Sequence, residues 1–191
     1  MSTYTTQALS LATRFAEVRQ ATAALIGRLA PEDCVVQPVV DVSPPKWHAA
    51  HTTWFFEQFL LSVYMPGYQV FHPRYAYLFN SYYNGAGERV ARPRRGQMTR
   101  PTTAEILEYR RYVDEQMEAW LAKDPALPAQ ARRILELGLQ HEQQHQELMY
   151  YDIKYILGHN PLFPAYIEGL SLPAPVPAPA GEHYVAIEAG V

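Results

Sequence analysis

The stretch Gln140-His141-Glu142-Gln143-Gln144-His145-Gln146-Glu147-Leu148 decides the fold, because it sits inside a helical pattern that runs from about Ala129 to Leu157. Its two histidines lie four residues apart, close to one helical turn, so both imidazoles leave one face and can reach a single ion. Ile134, Leu137, His141, His145, Leu148, Asp152 and Ile156 recur at three- and four-residue steps, which predicts one buried face carrying the histidine pair. Gly158 follows as the expected C-terminal cap. Two imidazoles buried without partners are costly, so this face points to a metal site more than to two ordinary histidines on a polar helix.

A third ligand is expected upstream. Ser43-Pro44-Pro45 reads as a helix start, since proline suits the first turn, where its missing N–H has no partner to lose. The helix it opens is expected to run from about Pro45 to Tyr64. Within it His51 shares a face with Trp54 and the aliphatic part of Gln58, and is the candidate ligand. His48, one turn earlier, is expected beside the site or on the surface.

Two more helices complete the pattern. From about Thr6 to Leu29, Leu11, Ala12, Phe15, Val18, Ala21, Leu25, Ile26 and Leu29 form an amphipathic stripe that Pro31 closes. Thr102 followed by Glu105 is a capping-box pattern, and Ile106, Tyr109, Val113, Met117, Trp120 and Leu121 carry the next stripe, ended by Pro125 and Pro128. Four long helices predict an all-α four-helix bundle, a fold that takes metal ligands from facing helices.

Between helices two and three, Met65 to Pro101 has little helical periodicity, many aromatics and an arginine cluster. It exceeds the roughly 12–15 residues at which structureless loops become uncommon, so a functional loop is expected. After the last helix, Pro173, Pro175, Pro177 and Pro179 alternate with small residues, the composition of an extended connector. The expected organisation is a metal-binding bundle over residues 1–170, a Pro-rich linker over 171–181, and over 182–191 the first strand of a further domain that stops early.

Bulk composition narrows the function. A net charge of -3 with a pI near 6.2 gives no reason to expect nucleic acid or an anionic membrane as partner. No stretch approaches the roughly 18 apolar residues of a membrane span. Cys34 is the single cysteine and the start lacks a signal-peptide pattern, which fits a reducing cytoplasm.

Three neutral imidazoles leave coordination positions open, for a thiolate and oxygen on iron or for water on zinc, and spacing alone does not name the metal. The run His141-Glu142-Gln143-Gln144-His145 also matches the zinc metalloprotease pattern, with Glu142 as general base. That reading needs a downstream ligand. His159 and Glu168 are available, but they lie at or past the end of the bundle, so it is the weaker one.

Ser43-Pro44-Pro45-Lys46-Trp47-His48-Ala49-Ala50-His51-Thr52-Thr53-Trp54-Phe55-Phe56-Glu57, together with the Gln140–Leu148 stretch, resembles the N-terminal DinB-like domain of ergothioneine-biosynthesis sulfoxide synthases. Phe79-Asn80-Ser81-Tyr82-Tyr83-Asn84 and the segment from Arg92 to Thr102 extend the likeness. The resemblance implies a non-haem iron(II) enzyme that uses dioxygen to join a cysteine-type thiol, γ-glutamylcysteine or cysteine, to C2 of the trimethylhistidine imidazole. It maps the iron ligands onto His51, His141 and His145. It maps the arginines that hold the thiol substrate's carboxylates onto Arg89 and Arg92, and suggests Gln144 as a hydrogen-bond partner of the substrate imidazole.

Tyr75, Tyr77, Phe79, Tyr82 and Tyr83 offer aromatic faces for a quaternary ammonium, and packing of the loop explains them equally. The resemblance also implies a C-terminal formylglycine-generating-enzyme-like domain, in cis or trans, that brings the catalytic tyrosine; none is expected in this chain. Two alternatives stay open: a metal-dependent thiol transferase of the DinB-like group, and a non-catalytic metal-binding module.

Overall fold

A computed structural model describes residues 10–81, 88–123 and 127–170, and every regular element among them is helical. Ser10 caps helix α1, Leu11–Ile26, by accepting the Thr13 N–H at 3.1 Å. Helix α2, Pro45–Phe56, runs through a π-helical turn, Glu57–Leu61, into α3, Ser62–Tyr64, so the expected span to Tyr64 holds. A short helix α4, Tyr75–Phe79, and a 3-10 turn, Arg92–Gln97, lie in the segment expected to be irregular. Helices α5, Thr103–Lys123, and α6, Ala129–Gly158, follow. The Pro-rich linker and the expected strand after it lie outside the described residues, as does the predicted start of α1 at Thr6.

Helix α2 is the centre of the packing. It contacts α1, α5 and α6 as well as α4, and every residue from Pro45 to Phe56 is buried. A helix covered on all sides has no polar face, so its buried polar groups find partners inside. Lys46 shows the rule: its Nζ donates to the carbonyls of Met98 and Pro101 at 2.6 and 2.9 Å, tying the long loop to the helix. Glu57, fully buried in the π turn, accepts the Tyr68 and Tyr109 hydroxyls at 2.8 and 2.6 Å and the Phe71 N–H at 2.9 Å. The loop is therefore pinned at both ends.

The capping box forms as expected. Thr102 Oγ1 accepts the Glu105 N–H at 3.2 Å, and Glu105 Oε2 accepts the Thr102 N–H at 2.7 Å.

The buried faces of α1 and α6 differ from the sequence expectation. In α6 the core side runs through Ala131, Leu135, Gly138, Leu139, Glu142, His145, Met149, Asp152, Ile153 and Ile156, whereas Leu137 and Leu148 are 58% and 43% exposed. The expected stripe shares His145, Asp152 and Ile156 with the core side but misses Gly138 and Glu142, a buried glycine and glutamate that apolar periodicity does not mark. In α1, Arg19 and Thr22 hold core positions while Ala12 and Ala21 are exposed. Arg19 donates to Glu142 at 2.8 Å and to Asp114 at 2.5 Å, Arg110 reaches Glu142 at 3.0 Å, and Thr22 donates to it at 2.6 Å. This buried ionic cluster joins α1, α5 and α6. At the far end of α6, Gly158 is still helical and His159 is the cap, its N–H bonded to Tyr155 and Ile156 carbonyls.

Candidate metal centre

Helices α2 and α6 bring His51, His141 and His145 together, with one ligand atom from each within 4.8 Å of the others. Their ring centroids are 4.6 to 5.0 Å apart. The three side chains that the sequence selected thus form a group able to hold one ion.

Each ring has a distinct environment. His51 is stacked between Trp47 and Trp54, one turn before and after it, with centroids at 4.6 and 5.5 Å. Its Nδ1 lies 2.6 Å from the Phe79 carbonyl, which can only accept, so Nδ1 carries the proton and Nε2 keeps its lone pair. His141 Nδ1 is buried without a hydrogen-bond partner among the described residues, an orphan that an ion would satisfy. His145 Nδ1 lies 2.8 Å from His48 Nδ1.

Burial lowers the basicity of all three rings, His141 to about 4. Neighbouring imidazoles push His51 and His145 further in the same direction. The group is accordingly a set of neutral nitrogen donors at neutral pH, the form that zinc, iron, copper and nickel take.

A cavity of about 530 Å³ opens onto the triad, lined also by Ser43, Trp47, Ser81, Arg92, Arg95, Gln144, Leu148 and Tyr151. Of the residues expected to bind substrate, Arg92 and Gln144 line it. Arg89 does not: it bonds the Ser81 carbonyl and lines a smaller neighbouring cavity that Arg92 and Arg95 share. Arg92 Nε donates to the Val40 carbonyl at 3.0 Å, with a second bond to that of Asp41.

Among the aromatics expected to face a cation, Tyr75 and Phe79 are buried in the core, Tyr77 is partly exposed elsewhere, and Tyr82 and Tyr83 lie outside the described residues. The aromatics of the cavity are instead Trp47 and Tyr151.

Arg95 and Asp152 were given no role at the site from the sequence, and His48 was expected beside the site or on the surface. Arg95 is buried, its guanidinium 3.3 Å from the centre of the Trp47 ring, with bonds to the Ser43 and Ser81 hydroxyls at 2.9 and 3.1 Å. Its signal was the spacing of three from Arg92. Of the two places expected for His48, it takes the one beside the site: it is buried, and Asp152 Oδ2 lies 2.8 Å from its Nε2. Asp152 stands seven residues after His145, two turns along the same face, a polar position that the stripe contained without a stated role.

Glu142 belongs to the structure and not to the cavity. Both its oxygens are taken by Arg19, Arg110 and Thr22. Against burial, which raises it, the two arginines hold its carboxyl below the ordinary value. A base so engaged and turned away from the triad does not fit the metalloprotease reading.

No curated protein matches the chain by sequence. The profile of the DinB superfamily, a helical superfamily that binds metals, matches residues 14–149 and so covers most of α1, all of α2, the long loop and α5, and the histidine pair of α6. The chain belongs to the DinB superfamily.

Proposed function

We propose that the chain is the metal-binding four-helix bundle of a non-haem iron(II) sulfoxide synthase of the ergothioneine type. It would join γ-glutamylcysteine or cysteine to C2 of the trimethylhistidine imidazole with dioxygen. The observation that carries this reading is the convergence of three neutral imidazoles on a cavity that Arg92, Arg95 and Gln144 also line.

Iron held by His51, His141 and His145 supplies the redox chemistry that sulfoxide formation needs, and three imidazoles leave positions open for substrates. Arg92, which lines this cavity, and Arg89, in the neighbouring one, suit a carboxylate of the thiol substrate, because a guanidinium carries a fixed positive charge and several N–H donors. Gln144 has an amide to hydrogen-bond the substrate imidazole. Tyr151, at the cavity, offers a ring face to a quaternary ammonium. The catalytic tyrosine would come from a formylglycine-generating-enzyme-like domain in cis or trans.

The test is anaerobic loading with Fe(II), followed by oxygen uptake with trimethylhistidine and γ-glutamylcysteine, the companion domain being supplied. Substrate-dependent uptake and a sulfoxide product are expected. Iron binding without uptake sinks the reaction, and anaerobic consumption of the thiol favours a thiol transferase instead. A His51→Ala chain with unchanged metal affinity sinks the ligand assignment.

A further inference from the structure

His48 and Asp152 are buried, face the triad from α2 and α6, and have no part in the reading given above except proximity. They form a chain with one of the three histidines. Asp152 Oδ2 accepts the Ser43 N–H at 3.0 Å, and His48 Nε2 lies 2.8 Å from that same oxygen. At the other edge of the ring, His48 Nδ1 lies 2.8 Å from His145 Nδ1.

Hydrogen-bond polarity then fixes each proton. A carboxylate oxygen only accepts, so His48 Nε2 carries its proton toward Asp152. The Nδ1 of a neutral His48 is consequently a bare acceptor. His145 Nδ1 faces an acceptor and must donate, which leaves His145 Nε2 as its lone-pair nitrogen. Any reversal at one link places two donors or two acceptors 2.8 Å apart in a buried site, where neither group can turn to water instead.

We infer that Asp152 and His48 are positioning residues that lock His145 in the Nδ1–H tautomer, presenting Nε2 as its ligand atom, as the Phe79 carbonyl does for His51. The inference rests on the three-histidine reading of the site and not on the reaction run there. The aspartate sits two bonds from the ligand ring, and the Ser43 N–H, just before α2, holds the aspartate in turn. The ligand's orientation is thereby set by groups of both histidine-bearing helices.

The experiment uses the full chain with its histidines labelled with nitrogen-15. Long-range proton–nitrogen correlation of the metal-free protein reads the tautomer of His145, and calorimetric titration with Co(II) reads affinity. The expected result is Nδ1–H in the parent chain. Asp152→Leu, which removes the acceptor of the His48 Nε2 proton, should free His48 to take either tautomer, let His145 populate Nε2–H and weaken Co(II) binding by about 10–100-fold.

If Asp152→Leu does not fold, His48 supplies the decision. His48→Asn keeps an acceptor near the Nδ1 position and should preserve the tautomer, whereas His48→Phe removes it and should release the tautomer with a similar loss of affinity. An Nε2–H His145 in the parent chain overturns the inference, as does an unchanged tautomer in both Asp152→Leu and His48→Phe. A parent chain with the expected tautomer but no Co(II) binding leaves the lock standing and overturns the metal reading, so the two failures are distinguishable.

Discussion

Gly138 of α6 lies directly against Phe56 of α2: a methyl group added at its Cα would come within 2.6 Å of the Phe56 ring and 3.0 Å of the Phe55 ring. The glycine stands one turn before His141, and Phe56 stands just past His51 and Trp54. Close approach of these two helices is what brings their histidines within reach of one ion.

Gly138→Ala should therefore destabilise the protein. Alanine gains about 1 kcal/mol of helix propensity, but overpacking two aromatic rings in a closed core costs about 1–3 kcal/mol, so steric strain wins. Chemical denaturation should show a lower midpoint, and Co(II) affinity should fall as the helices are pushed apart. A more stable variant with unchanged affinity would show that the contact does not set the helix spacing.

Glu142 separates a structural role from a catalytic one. Glu142→Gln leaves Arg19 and Arg110 buried without their shared anion, and breaking such a pair costs about 3–5 kcal/mol. The unfolding free energy should drop by about 3 kcal/mol. Metal affinity, measured where the variant is still folded, should stay within a few-fold of the parent, because the carboxylate points away from the triad. Normal stability with lost affinity would reverse the assignment.

These two positions also show what the sequence could convey. Helix existence, the Thr102–Glu105 cap and the placing of His141 and His145 side by side were legible, since each follows from local spacing. The rotation of α6 was not: Gly138 and Glu142 lie on its core side because of Phe56, Arg19 and Arg110, which are remote in sequence. Helix α2 gave no amphipathic signal because it is buried all round. The parts of His48 and Asp152 were hidden for the same reason, since each depends on a ring nitrogen of a residue about a hundred positions away.

The metal-free protein should lose stability in mild acid. His141 is held at about 4 against an ordinary value of 6.5, and His48, His51 and His145 are lowered too, all chiefly by burial. The unfolded chain takes up protons near pH 6.5 while the folded rings stay neutral. The stabilising contribution is thus complete above about pH 6.5 and is lost as pH falls toward 4, at about 1.4 kcal/mol per unit of depression for each ring. Glu142 acts in the same direction but below the ordinary carboxylate range. Denaturation midpoints in chelator should fall between pH 7.5 and pH 5, and His141→Gln should flatten the slope. A pH-independent midpoint would show that these rings are not neutral and buried.

Arg92 and Arg89 make an internal comparison for the substrate site. Arg92 lines the histidine cavity directly, whereas Arg89 lines the smaller one beside it. A charge-assisted hydrogen bond to a carboxylate is worth about 1.5–3 kcal/mol, so Arg92→Ala should raise KM for γ-glutamylcysteine by about 10-fold or more. Arg89→Ala should raise it less, because Arg89 lines the smaller cavity and not the one onto which the histidines open. Neither change touches a histidine, so Fe(II) affinity should be unaltered in both. Steady-state kinetics with the companion domain present checks the order. A larger effect at Arg89 would place the carboxylate in the smaller cavity, and equal KM values in both variants and the parent would remove the long loop from substrate binding.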